Sequence, residues 1–126
     1  MSVASLWIVA EPTSGSFTTT TLELLTHARS LSPSISVVTW NEGASLAAQA
    51  GEYGASTLYD VGPLEGALPG ASVAAAIQSL VASKGAPDAI LIPNSYDGRD
   101  IAGRLSARLD RPVLTNATDW SKKAAC

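Results

Sequence analysis

Apolar residues fall along this chain in two alternating rhythms. Short unbroken runs such as Leu6-Trp7-Ile8-Val9-Ala10 suit strands covered on both faces, and longer stretches repeat apolar positions every three or four residues, as helices do. Pro12, Ser14 and Gly15 break the first run. Thr20 and Glu23 then have the spacing of a capping box, in which each side chain satisfies one free backbone N–H. Leu22, Leu25, Ala28 and Leu31 follow at helical spacing until Pro33. Ile35–Trp40 predicts a second strand, Ala44–Tyr53 a helix of small residues closed by Gly54, and Thr57–Val61 a third, weaker strand. A loop holding Gly62, Pro63, Gly66, Pro69 and Gly70 leads to a third helix, where Val73, Ile77, Leu80 and Val81 share a face with Lys84. Gly85 and Pro87 stop it. Ala89-Ile90-Leu91-Ile92 is the clearest buried strand, Asp97–Leu109 is the last helix with Ile101, Leu105 and Leu109 on one stripe, and Val113-Leu114-Thr115 begins a fifth strand.

Strands separated by helices in this way require crossover connections, which are right-handed and make a parallel sheet. The expected fold is therefore a three-layer, Rossmann-like α/β domain with a mostly parallel sheet. The 126 residues fit one domain, and 46% hydrophobic against 15% charged residues is core-forming rather than disordered. A net charge of −3 lacks the basic footprint of a nucleic-acid binder. Cys126 is the one cysteine and His27 the one histidine, so neither a disulfide framework nor a His/Cys zinc site is available. The first apolar run ends at Glu11-Pro12 with no basic segment before it, which argues against a signal peptide or membrane span. A bacterial cytoplasmic protein with no nucleic-acid, membrane or metal partner is the expectation.

In open parallel sheets ligands bind at the carboxyl ends of strands, where helix amino termini converge. Glu11–Thr19, Asn41–Ser45 and Asn94–Asp100 are the three loops so placed. In the third, Ser95, Asp97, Gly98, Arg99 and Asp100 are candidates for a nucleotide or partner loop: Gly98 permits close backbone approach, Arg99 suits a phosphate or carboxylate, and Ser95 or Asp97 can accept from the first helical N–H groups. Capping is the preferred explanation of the carboxylates, with Asp97 as the N-cap and Asp100 paired to Arg104 one turn on. His27 follows Glu23 at i, i+4, the spacing of a solvated surface pair. Trp7 and Trp40 sit on or beside strands and belong to the core or an interface rather than to a base-stacking platform; Trp120 is the third tryptophan. Neither a GxSxG elbow nor a glycine-rich phosphate motif occurs, so nothing marks a catalytic residue.

Several stretches resemble the electron transfer flavoprotein α subunit. Thr21-Leu22-Glu23-Leu24-Leu25-Thr26-His27-Ala28-Arg29 resembles the first helix of its amino-terminal domain, Tyr53–Leu58 its turn into the third strand, and Pro87–Leu91 its following strand. Ser95–Leu109 is similar to the family's DGRD-containing segment, departing at Gly103, where proline is common, and Thr115–Asp119 resembles the stretch after it. The resemblance implies an αβ heterodimer that carries electrons through FAD, from acyl-CoA and other dehydrogenases (as in fatty acid β-oxidation) to a quinone oxidoreductase. It places the flavin in a carboxy-terminal domain beyond this chain, so no FAD-binding residue is carried over and no cofactor is expected for these residues alone. The expectation is a non-catalytic scaffold and β-subunit interface, with residues 1–119 as a partial amino-terminal domain and 120–126 as a non-matching tail of a truncated product. The alternative is a stand-alone module of the universal stress protein type, binding ATP or AMP at Asn94–Asp100.

Overall fold

A computed structural model describes residues 4–111. Four parallel strands form the central sheet: β1 (Leu6–Val9), β4 (Ile35–Thr39), β5 (Thr57–Asp60) and β6 (Ala89–Leu91), in the order β5-β4-β1-β6. A two-stranded antiparallel ribbon, β2 (Pro12–Thr13) and β3 (Ser16–Phe17), follows β1. The helices are α1 (Thr19–Ala28), α2 (Gly43–Glu52), α3 (Pro69–Lys84) and α4 (Tyr96–Leu109). The expected α/β architecture is the observed one.

Strand pleating divides the core. Leu6, Ile8, Ile35 and Val37 face α1 and α2, meeting Leu25, Ala28, Leu46 and Ala50. Trp7, Val9, Val38 and Trp40 face the opposite way and meet Val73, Ala74 and Ile77 of α3 with Ile101 and Leu105 of α4. Both expected core tryptophans are buried, at 4% and 5% exposure, and Trp7 lies 5.7 Å from the Tyr59 ring. Each fully buried aliphatic side chain contributes about 1.5–3 kcal/mol over its exposed state, so the two apolar layers hold the sheet between the helix pairs.

Four local expectations need correction. The segment after β1 is a hairpin, whose Ser14 (φ 28°) and Gly15 (φ 82°) make a turn with positive φ at both central residues. Thr18, in extended conformation, caps α1 by accepting from the Thr21 N–H at 3.3 Å, so the Thr20/Glu23 capping box does not form. The hairpin delivers the chain to α1 two residues earlier than the box assumed. Pro69 and Gly70 belong to α3 rather than to the preceding loop, because proline at a first helical position lacks only an N–H the helix would not use. Finally, Ser95 rather than Asp97 is the N-cap of α4. Gly54 ends α2 as expected, with φ 98° and with the Ala55 N–H reaching back to the Ala50 carbonyl at 3.0 Å. The strand expected at Val113–Thr115, Trp120 and Cys126 lie outside the described residues.

Candidate functional site

The order β5-β4-β1-β6 reverses direction between β1 and β6, since successive strands are added on one side of β1 until α3 carries the chain across to the other. At such a switch point two strand ends diverge and leave a crevice. Here one wall is Glu11, just beyond β1, and the other is Ser95, at the start of α4. The Ser95 hydroxyl donates to Glu11 Oε1 at 2.8 Å and accepts from the Gly98 N–H at 2.9 Å. Glu11 is 8% exposed, and its own N–H donates to Thr21 Oγ1 at 3.0 Å. Burial pushes the Glu11 carboxyl above the usual carboxylate range; the Ser95 hydrogen bond pulls it back, and the nearby Asp97 charge pushes it further up.

The candidate residues of the Asn94–Asp100 loop separate into two groups. Ser95, Asp97 and Gly98 face the crevice with Glu11. Gly98 is buried, and a Cβ there would collide with the Pro93 carbonyl oxygen, so the backbone approach the sequence suggested is real but is made to the chain itself. Arg99 and Asp100 are used elsewhere. The Arg99 Nε donates to Asn94 Oδ1 at 2.9 Å, with its guanidinium 6.0 Å from the Tyr96 ring centre, and Asp100 pairs with Arg104 at 3.0 Å as its spacing predicted.

The other two loops are also occupied by their own structure. Glu42 accepts from the Gly15 N–H at 2.7 Å, and Gln49 Oε1 from the Phe17 N–H at 2.9 Å, so α2 pins the hairpin. Asn41, at φ 62°, accepts from the Leu64 N–H at 2.8 Å, and Asp60 from the Gly62 N–H at 2.9 Å. Glu23 and His27 are exposed on α1, beside a shallow open groove that reaches Tyr53. Glu11 opens one of the three strand-end loops, yet sequence reasoning assigns its side chain no role. A carboxylate directly after a doubly covered strand was the available signal.

The strand ends therefore present Glu11, Glu42, Asp60 and Asp97, and these carboxyl groups offset the attraction that helix amino termini hold for anions. The Ser95 hydroxyl donates a hydrogen bond to the Glu11 carboxyl and accepts one from the Gly98 N–H, the second of which is N-capping of α4. Among the described residues no cluster of His, Cys, Asp and Glu could hold a metal ion. No helix among them is long and apolar enough to cross a membrane.

A family model described as the electron transfer flavoprotein domain matches residues 6–124. The chain belongs to the electron transfer flavoprotein family. The electron transfer flavoprotein subunit alpha of Syntrophomonas wolfei subsp. wolfei (strain DSM 2245B / Goettingen) is 28% identical to it over 118 residues. That alignment covers 91% of this chain and 37% of the relative, so the chain spans little more than a third of the relative's length. The resemblance read from Thr21–Arg29 and Ser95–Leu109 is thereby borne out. So is the parallel, helix-flanked sheet as the fold of an electron transfer flavoprotein domain.

Proposed function

We propose that this chain is a non-catalytic scaffold and subunit-interface domain of the α-subunit type. In this reading it contributes to a complex with an electron transfer flavoprotein β subunit, which takes electrons from acyl-CoA and other dehydrogenases. The electrons pass through FAD held by α-subunit sequence that has no counterpart in these 126 residues. Support comes from the family match over residues 6–124, from the α-subunit relative, and above all from the Glu11–Ser95 bond at the switch point. A buried carboxyl stands where a dinucleotide's pyrophosphate would approach α4, and Asp97 adds a second negative charge. The described residues do not fit a flavin pyrophosphate, and no electron-transfer step is assigned to any of them.

The competing reading, a universal-stress-type module for ATP or AMP, needs the same crevice to accept phosphate. Calorimetric titration of the chain with FAD, AMP and ATP at millimolar concentration separates the two. The scaffold reading expects no saturable heat from any of them. Saturable heat with ATP or AMP would replace it with the nucleotide module.

A further inference from the structure

The first turns of α3 and α4 lie against each other. Gly70, the second residue of α3, is packed so closely that a Cβ there would collide with the Asp100 carboxyl and meet Arg104 Nε at 3.0 Å. Tyr96 precedes Asp100 by one turn of α4 and shares its face, which brings it to the same side as Leu68, the residue leading into α3. Tyr96 and Leu68 are the exposed large apolar side chains among the described residues, at 90% and 76% exposure, and Ala67 and Ala71 are exposed on either side of the turn into α3. Apolar residues scattered singly over a surface need no explanation, whereas neighbouring ones with a polar rim mark a contact site. Both anchors are also held in place. The Arg99 guanidinium lies 6.0 Å from the Tyr96 ring centre with its Nε fixed to Asn94 Oδ1, and the 61–68 loop is tied to the end of β4 by the Leu64 N–H donating to Asn41 Oδ1 at 2.8 Å. Ordered side chains lose little conformational freedom when a partner covers them.

We propose that Tyr96 and Leu68 anchor a protein-docking surface at the carboxyl end of the strands, and that its partner is a subunit offering an apolar hollow rimmed by basic side chains. The proposal rests on the subunit-interface reading above and deepens it by naming the face. Charge selects the partner. Asp97 adjoins Tyr96 and Glu65 precedes Leu68 by three residues, and neither makes an ion pair among the described residues. Asp60 and Glu42, at the neighbouring strand ends, are turned to the Gly62 and Gly15 N–H groups rather than to cations. Asp100, by contrast, is neutralised by Arg104, which leaves Arg99 as the basic group beside the anchors. The rim thus carries an excess of carboxylates over cations, and a basic rim complements it. A second copy of this chain would set the same carboxylates against these, so self-pairing through this face is opposed by like charge.

The test is calorimetric titration of the 126-residue chain with an electron transfer flavoprotein β subunit, at low and at physiological ionic strength. Tyr96→Ala and Leu68→Ser should each weaken binding by about tenfold or more, without moving the melting temperature of the chain, because both side chains are exposed. Glu65→Lys should weaken binding chiefly at low ionic strength, where charge attraction is least screened. Lys84→Ala, at the far end of α3, should leave the affinity unchanged. If the wild-type chain binds and both anchor variants bind as tightly, the proposed face is overturned while the subunit-interface reading stands. If the wild-type chain does not bind at all, both fall. Binding that strengthens with added salt contradicts the basic rim. Sedimentation of the chain alone completes the test: a dimer dispersed by Tyr96→Ala would make a second copy the occupant and overturn the proposed partner.

Discussion

Two buried polar side chains set the residue-scale chemistry, and they behave oppositely. Glu11 is partnered but costly to ionise. Its folded carboxyl is held above the unfolded value, so between the two values the folded state binds the extra proton. Stability is therefore fullest below the ordinary carboxylate range and declines as pH rises toward the folded value, above which it levels off. Glu11→Gln keeps an acceptor for Ser95 and removes the charge. The variant should melt higher than wild type at neutral pH and lose that decline, which thermal denaturation from about pH 4 to about pH 8 would show. Melting curves that shift with pH in parallel would contradict it. Thr39, fully buried at the end of β4, has a hydroxyl with no hydrogen-bond partner among the described residues. An unmet buried hydroxyl costs about 1–3 kcal/mol, so Thr39→Val should be neutral or stabilising by urea denaturation. A loss above about 1 kcal/mol would mean the hydroxyl is satisfied by a group outside the described residues.

Elements here depend on side chains borrowed from their neighbours. The hairpin has two residues per strand, too few to stand alone, and owes its position to Glu42 and Gln49 of α2. Gln49→Ala should therefore cost about 1 kcal/mol and increase amide exchange at Phe17 while leaving β4 protected. Equal loosening of both would show that α2 supports the sheet rather than the ribbon. Ser95→Ala removes the α4 cap and should cost about 0.5–2 kcal/mol, read by chemical denaturation. These borrowed contacts also explain what the sequence did and did not reveal. Periodicity located all four helices and the four sheet strands, because Ile35–Thr39 or Ile101, Leu105 and Leu109 carry their own pattern. The hairpin was invisible because Pro12–Thr13 and Ser16–Phe17 are too short for any rhythm. The α1 cap was misplaced because Thr18, Thr20 and Thr21 are alike in chemistry, and only the incoming chain direction chooses among them.

Across the whole molecule, the loops meant for ligands are closed by the protein itself. Composition and the resemblance located the Asn94–Asp100 loop, yet no local pattern pairs Ser95 with Glu11 across 84 positions; the strand order does that. Basic residues in the last turns, Lys84 of α3 and Arg108 of α4, lie at the opposite end from Glu11, Glu42, Asp60 and Asp97. The carboxyl end of the strands carries Glu11, Glu42, Asp60 and Asp97, and Leu68 and Tyr96 are exposed residues just before α3 and at the start of α4. Such an end suits contact with another protein better than with phosphate. The most direct check on a scaffold and subunit-interface role is sedimentation velocity of this chain mixed with an electron transfer flavoprotein β subunit. The account predicts one faster boundary of equimolar composition, formed without added flavin. Two independently sedimenting species at every concentration would contradict it.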